Sequence, residues 1–157
     1  MNMQTDTNEI KIEPATLWDV GAIRELERVC FPQDAWPLLE MVGVLSLPSV
    51  LRWKALDGER LVAFVAADVR RSQNVAWIAT IAVHPDYRRR GLGGRLMTLA
   101  EERVETRAMR LSARASNREA LHLYQARGYE QIDVWPKYYV GGEDAVVMEK
   151  VLGVDRR

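Results

Sequence analysis

Residues 10–14 alternate apolar and polar side chains (Ile10, Lys11, Ile12, Glu13), the two-residue period of a short strand. Past Thr16 the period lengthens. Val20, Ile23, Leu26 and Val29/Cys30 recur at helical spacing behind Thr16-Leu17-Trp18-Asp19, which resembles a capping box with Asp where the longer Glu is usual. This helix is expected to stop before Pro32. Asp34 is placed to cap a second, shorter helix over residues 36–45, which Pro48 ends. Residues 51–56 and 61–69 are β-leaning, and Asp57-Gly58 between them signals a hairpin turn. Residues 75–83 are apolar on both faces, as in a central strand. Helical spacing returns after Gly91 with Leu92, Leu96, Leu99/Ala100, Val104 and Ala108. A short strand follows over residues 109–115. Ser116-Asn117-Arg118-Glu119 then has the skeleton of a capping box, opening a helix that runs to about Arg127, with Gly128 as a left-handed cap. Residues 129–134 and 145–152 read as strands, with a turn at Gly141-Gly142. The pattern predicts an α/β (α+β) chain: a mixed sheet of six or seven strands with about four helices.

No repeat and no Ser/Gly-rich linker divides the chain, so residues 10–157 read as one domain behind a frayed or disordered tail over residues 1–9. The 157 residues suffice for a core without staples, and 48% apolar with 28% charged residues excludes a disordered chain. Lys+Arg and Asp+Glu both number 22, so the broad basic face of a nucleic-acid binder is not expected. No apolar run approaches the roughly 18 residues of a membrane span, and the first ten residues lack a secretory core. The single cysteine, Cys30, cannot form an internal disulfide, and a cytoplasmic location is the expectation.

Against this neutral background, one segment stands out: Val83-His84-Pro85-Asp86-Tyr87-Arg88-Arg89-Arg90-Gly91-Leu92-Gly93-Gly94-Arg95. It joins a buried strand to a long amphipathic helix. A glycine-rich turn there exposes free N–H groups at the positive end of the helix dipole, a natural phosphate site. It lacks the Gly-Lys-Ser/Thr of a nucleotide-triphosphate loop, and its glycines do not form a dinucleotide fingerprint. A solvated basic turn with helix-breaking glycines is the plainer alternative.

Arg88-x-x-Gly91-x-Gly93 resembles the Gln/Arg-x-x-Gly-x-Gly/Ala motif of the GNAT acyltransferase superfamily, and Ile81-Ala82-Val83-His84-Pro85-Asp86-Tyr87 resembles its approach to that loop. The likeness runs from Ile12 to Leu152. Within the superfamily the chain is most similar to RimI-type N-terminal acetyltransferases of ribosomal proteins. The similarity lies in Cys30-Phe31-Pro32-Gln33-Asp34-Ala35-Trp36, Arg114-Ala115-Ser116-Asn117, Leu123-Tyr124 with Gly128-Tyr129, and Tyr138-Tyr139 before Glu143-Asp144-Ala145-Val146-Val147-Met148.

The resemblance implies a GNAT fold and acetyl-CoA as donor, with no metal. The pyrophosphate would sit on residues 89–94 (Arg89, Arg90, Gly91, Leu92, Gly93, Gly94) behind Arg88. Ile81, Ala82 and Val83 would pair with the pantetheine arm as an added strand. Asn117 would meet that arm. Tyr124, two helical turns on, would stand near the thioester sulfur as proton donor. Phe31, Trp36, Tyr138 and Tyr139 correspond to acceptor-binding positions, although Trp36 serves equally well as a helix–core anchor. Trp53 and Trp77 read as core, and Cys30 as a small buried apolar group.

One position departs from the family. Similar enzymes carry a Glu base in the strand before Arg-Ala-Ser-Asn; here that residue is Ser112, and no acid occurs between Met109 and Asn117. A free α-amine, with pKa about 7.7–8.0, is on the order of one-tenth neutral at pH 7, so a missing base costs roughly 1 kcal/mol of population. For lysine, near 10.4, the cost is roughly 4–5 kcal/mol. The substitution therefore fits an N-terminal acceptor better than lysine. His84 is a candidate substitute, though its place in a common family turn favours a structural role; Asp34 and Glu40 lie near the expected acceptor side. Three readings stay open: transfer to a protein or peptide N-terminus, transfer to a small-molecule amine, and a CoA-binding module with weak or lost catalysis.

Overall fold

The structure, a computed structural model, describes residues 9–153; of the tail expected over residues 1–9, only Glu9 lies within them. The opening alternation becomes the edge strand β1 (Lys11–Pro14), and the first helical stripe becomes α1 (Val20–Cys30), entered through a 3-10 turn at Leu17–Asp19. There the Thr16 N–H donates to Asp19 Oδ2 at 2.8 Å, so the short acid does serve the helix start. Next come α2 (Leu38–Ser46), β2 (Val50–Asp57), β3 (Arg60–Arg70) and β4 (Val75–Val83). After the loop follow α3 (Leu92–Arg103), β5 (Ala108–Arg114), α4 (Arg118–Ala126), β6 (Glu130–Trp135) and β7 (Ala145–Val151).

The strands form one seven-stranded sheet in the order β1-β2-β3-β4-β5-β7-β6. β1 to β4 make an antiparallel meander through the Asp57-Gly58 hairpin. β4 occupies the middle of the order, as its two apolar faces require. The α3 crossover makes β5 parallel to β4, and every other pairing is antiparallel. One face of the sheet packs on α3 and α4 through Leu92, Leu96, Met97, Ala100 and Leu121. The other packs on α1 and α2 through Ile23, Leu26, Met41, Val44 and Leu45 against Phe64, Ala66 and Ala82. Each fully buried large side chain contributes roughly 1.5–3 kcal/mol, which fixes the helices on β3 and β4, while β6 at the sheet edge stays largely exposed.

Four local expectations are corrected. Asp34 does not cap α2, whose N-cap is Pro37, because its carboxylate is taken by Arg114. The cap of α4 is Asn117 rather than Ser116: Asn117 Oδ1 accepts from the Ala120 N–H at 3.2 Å, while the Ser116 N–H donates to Glu143. The apolar spacing through Val104 and Ala108 spans a helix end: α3 stops at Arg103, Glu105 turns left-handed at φ 53°, and Ala108 opens β5. Both residues are buried, on different elements, which makes one helical stripe out of two. In α1 the buried stripe holds Glu27, while Val29 faces solvent.

Candidate active site

Parallel pairing between β4 and β5 lasts three rungs, Val75 with Ala108, Ala76 with Met109 and Trp77 with Arg110. Beyond Trp77 the strands part. Among the described residues, the facing edges of residues 78–83 and 111–114 then have no partner strand, in a core position where backbone groups are normally paired. An extended, amide-bearing chain is the ligand that such a cleft accepts. Across the other edge of β4 the register skips: Ala66 faces Thr80 and Ala67 faces Ile78, so Ala79 is a bulge at the mouth of the cleft.

The cleft runs toward the basic loop. Among the described residues, no protein acceptor takes the N–H of any residue from 89 to 94; the first helical bond is Arg95 N–H to Gly91 O at 3.0 Å. These six donors include the orphan amides of the start of α3. Arg89 and Gly91 both take positive φ, 63° and 75°, which folds the loop over the helix end. A Cβ on Gly93 would meet only Val83 Cγ2, at 3.6 Å, so that glycine keeps the amides open rather than relieving a clash. The arginines do not all point inward. Arg88 Nε donates to the Val83 carbonyl at 3.0 Å, and the Arg90 guanidinium lies over the Tyr87 ring, whose hydroxyl bonds Asp57. Arg127 carries no local signal of a role at the loop in the sequence. From the end of α4 it reaches over α3, donates to Thr98 Oγ1 at 2.7 Å and passes Gly94, where an added Cβ would lie 3.2 Å from its Nη1. With Arg95 it lines a groove beside the loop.

On the α1 side of the cleft, Arg114 at the end of β5 binds two loops together. Its guanidinium grips Asp34 of the α1–α2 loop with Nε at 2.7 Å and Nη2 at 2.8 Å, and Glu143 of the β6–β7 loop with Nη1 at 2.9 Å. Hydrogen bonds from Ser116 and Arg114 hold the Glu143 carboxyl below the usual range. The Tyr139 ring lies under the same guanidinium, 4.9 Å from its centre, and packs edge-on against Tyr138. Tyr138 continues to Trp135, which stacks on Trp77. Trp77 is thus half-buried in an aromatic row rather than in the core, whereas Trp53 does pack on the core. Phe31 and Trp36 pack against the α1–α2 layer. Under the transfer reaction that the sequence resemblance implies, replacing Arg114 by Ala, which frees both loops, is expected to raise the acceptor KM several-fold with the donor KM unchanged; steady-state kinetics with each substrate varied checks this.

Tyr124, on α4, packs edge-on against Tyr129, and its hydroxyl has no hydrogen-bond partner among the described residues. Burial, with Tyr139 nearby, pushes its pKa up to about 12, so it keeps its proton throughout the physiological range. Ser112 stands on β5 within hydrogen-bond range of the Tyr139 hydroxyl, 3.3 Å. No carboxylate is on β5. The thiol of half-buried Cys30 donates to the Val83 carbonyl at 3.4 Å, tying the end of α1 to β4. His84 caps the turn after β4 by accepting from the Asp86 N–H and also faces Arg60.

The buried acid is Glu27, 1% exposed on α1. The Thr80 hydroxyl donates to its Oε1 at 2.6 Å, and its Oε2 is buried without a partner among the described residues. Burial raises its pKa, only partly offset by the Thr80 bond. An acid with a raised folded-state pKa stabilises the fold fully below its unfolded pKa, and that contribution is lost as pH rises through the folded one. Glu27→Gln is therefore expected to gain on the wild type in thermal unfolding between pH 4 and pH 8; a gap independent of pH would contradict the burial.

Residues 20–129 match the family model described as the acetyltransferase (GNAT) family. The chain is 34% identical to the N-terminal acetyltransferase A complex catalytic subunit NAA10 of Arabidopsis thaliana over 148 residues, covering 90% of this chain and 77% of that protein. It is 30% identical over 155 residues to the N-alpha-acetyltransferase RimI of Mycobacterium tuberculosis, covering 96% of this chain and 98% of the relative. The crystal structure of the ribosomal-protein-S18-alanine N-acetyltransferase from Escherichia coli superposes with a TM-score of 0.85 at 25% identity, over 94% of this chain and 96% of the other.

Proposed function

The chain belongs to the GNAT acetyltransferase family, whose members are acetyl-CoA-dependent N-acetyltransferases, and from that premise we propose that its acceptor is the free α-amine of a protein or peptide. The relatives that act on protein N-termini support this reading. The observation that carries it is the chain's own: β5 presents Ser112 where a strong base would be needed to deprotonate lysine. An α-amine needs far less help.

The residues fit the donor. Unpaired amides over residues 89–94 would receive the diphosphate, with Arg95 and Arg127 alongside. The edge at Ile81, Ala82 and Val83 that no described strand covers would pair with the pantetheine amides through the groups left open once Arg88 and Cys30 have taken the Val83 carbonyl, and a strand N–H there would meet the oxygen on which charge develops. Asn117 spends its side-chain oxygen on capping α4, leaving its NH₂ as the group to meet the arm. Tyr124 would offer its hydroxyl to the departing sulfur. A thiol near 8.5 is a stronger acid than a phenol near 12, so Tyr124 steadies the thiolate by a hydrogen bond while solvent completes the protonation. Tyr138, Tyr139, Phe31 and Trp36 would bound the acceptor channel over the Arg114 tie.

Small amines are the second reading, since the acceptor channel is defined by loops. Incubation with acetyl-CoA and peptides bearing free or blocked N-termini, read by mass spectrometry, separates the two. Acetylation confined to free α-amines is expected; transfer to polyamines or lysine side chains alone would overturn the assignment.

A further inference from the structure

β5 supplies no acid, yet one carboxyl lies beneath the facing strand. Past the last shared rung, Trp77 with Arg110, Ser112 is two residues along β5, and Ala79 and Thr80 are two and three along β4, the bulge at Ala79 taking up the difference. Ser112 and Arg114 share the face that meets the α1–α2 loop at Asp34, and Thr80 shares the face that meets α1 at Glu27. Thr80 and Ser112 therefore flank the cleft at one level on the acceptor side. We propose that the proton released by the acceptor amine passes through the Thr80 hydroxyl to Glu27, so that this α1 carboxylate takes over the base function absent from β5.

The inference rests on the N-acetyltransferase reading and names the missing group in it. As the amine nitrogen bonds to the thioester carbonyl carbon, the carbonyl π pair moves to oxygen. The ammonium proton passes to Thr80 Oγ1 while the hydroxyl proton of Thr80 moves along the existing 2.6 Å bond to Glu27 Oε1. The oxygen pair then returns, the C–S bond breaks, and its electrons leave on sulfur, which is held by Tyr124 and protonated by solvent. Glu27 releases its proton to solvent between turnovers, so the sum is amine plus thioester to amide plus thiol.

The orphan Oε2 fits this duty. A buried acceptor without a partner among the described residues lowers stability and needs a reason, and a carboxylate kept basic by burial has one. The buried stripe that Glu27 shares with Ile23 and Leu26 packs into an apolar cluster with Met41, Val44 and Leu45 of α2, Phe64 and Ala66 of β3, and Ala82 of β4. The titratable groups toward it are the Cys30 thiol on its own helix and, beyond that, the Arg88 guanidinium from the loop after β4.

The test compares wild type, Glu27→Gln, Thr80→Val and Thr80→Ser with a lysine-free peptide between pH 5.5 and 9. Acetyl-CoA affinity is measured by calorimetry, and the Glu27 carboxyl is followed by carbon-13 NMR without substrate. Expected are a Glu27 resonance titrating above the ordinary glutamate range and kcat lowered about tenfold in Glu27→Gln and Thr80→Val, as a missing base costs an α-amine, with acetyl-CoA affinity within twofold. Thr80→Ser stays within about threefold of wild type, and the acidic limb of kcat is absent from Glu27→Gln. Wild-type kcat in Glu27→Gln, or Thr80→Ser as impaired as Thr80→Val, would overturn the relay. A parallel loss of acetyl-CoA affinity would make the pair a brace for β4 and overturn it as well. A wild type inactive on every free α-amine would instead sink the underlying acceptor reading, and the relay with it.

Discussion

Replacing Gly93 by Asp should leave a folded protein that binds acetyl-CoA about a hundredfold more weakly. The side chain has room, since its Cβ meets only Val83 Cγ2 at 3.6 Å. Gly93 takes ordinary helical φ in the first turn of α3, where a carboxylate complements the dipole and a glycine is a poor helix former, so the melting temperature should hold or rise. The same carboxylate would face the diphosphate. At about 6 Å and an effective dielectric near 20, one pair of like charges repels by about 3 kcal/mol, or about a hundredfold in affinity. Thermal unfolding and calorimetry on one sample separate the two effects; unaltered affinity would remove the loop from the binding site. Gly91 would be a poorer choice, because its φ of 75° adds backbone strain to whatever the ligand loses.

The second large effect belongs to Tyr124→Phe. The ring packing against Tyr129 survives, and the hydroxyl removed has no partner within the described residues, so stability and acetyl-CoA affinity should stay within error. In the proposed reaction what disappears is the donor offered to the leaving sulfur, and kcat should fall roughly ten- to a hundredfold. The wild type should also show no loss of kcat from phenol ionisation up to pH 10, since burial has moved that ionisation to about pH 12. Undiminished turnover in Tyr124→Phe, measured by thiol release, would exclude it from the chemistry.

Much of this was legible in the chain, for identifiable reasons. Alternation and helical spacing report burial directly, so β4 came out with its boundaries at residues 75 and 83 and its central place. The loop was legible because three arginines and three glycines in seven positions contrast with a chain of zero net charge. What stayed hidden were long-range polar pairings. Asp34 reads locally as a cap; only the fold brings it to Arg114, 80 positions away, and a bidentate ion pair outweighs a cap. Ser116 likewise lost the cap to Asn117 because Glu143, remote in sequence, claims its amide. The cleft itself leaves no local signature, because it arises where two apolar strands stop pairing, with only a one-residue bulge to mark the place. Glu27 did leave a sign: an acid on the same stripe as Ile23 and Leu26, where burial demands a partner.

The central claim is that the backbone of one loop and one strand edge holds the donor. Titration of nitrogen-15-labelled protein with coenzyme A, observed amide by amide, addresses it most directly. The N–H resonances of residues 89–94 and of residues 79–83 should shift together and saturate at a single concentration, with those of β1 and β2 unmoved. Saturable binding that leaves both segments undisturbed would contradict the account.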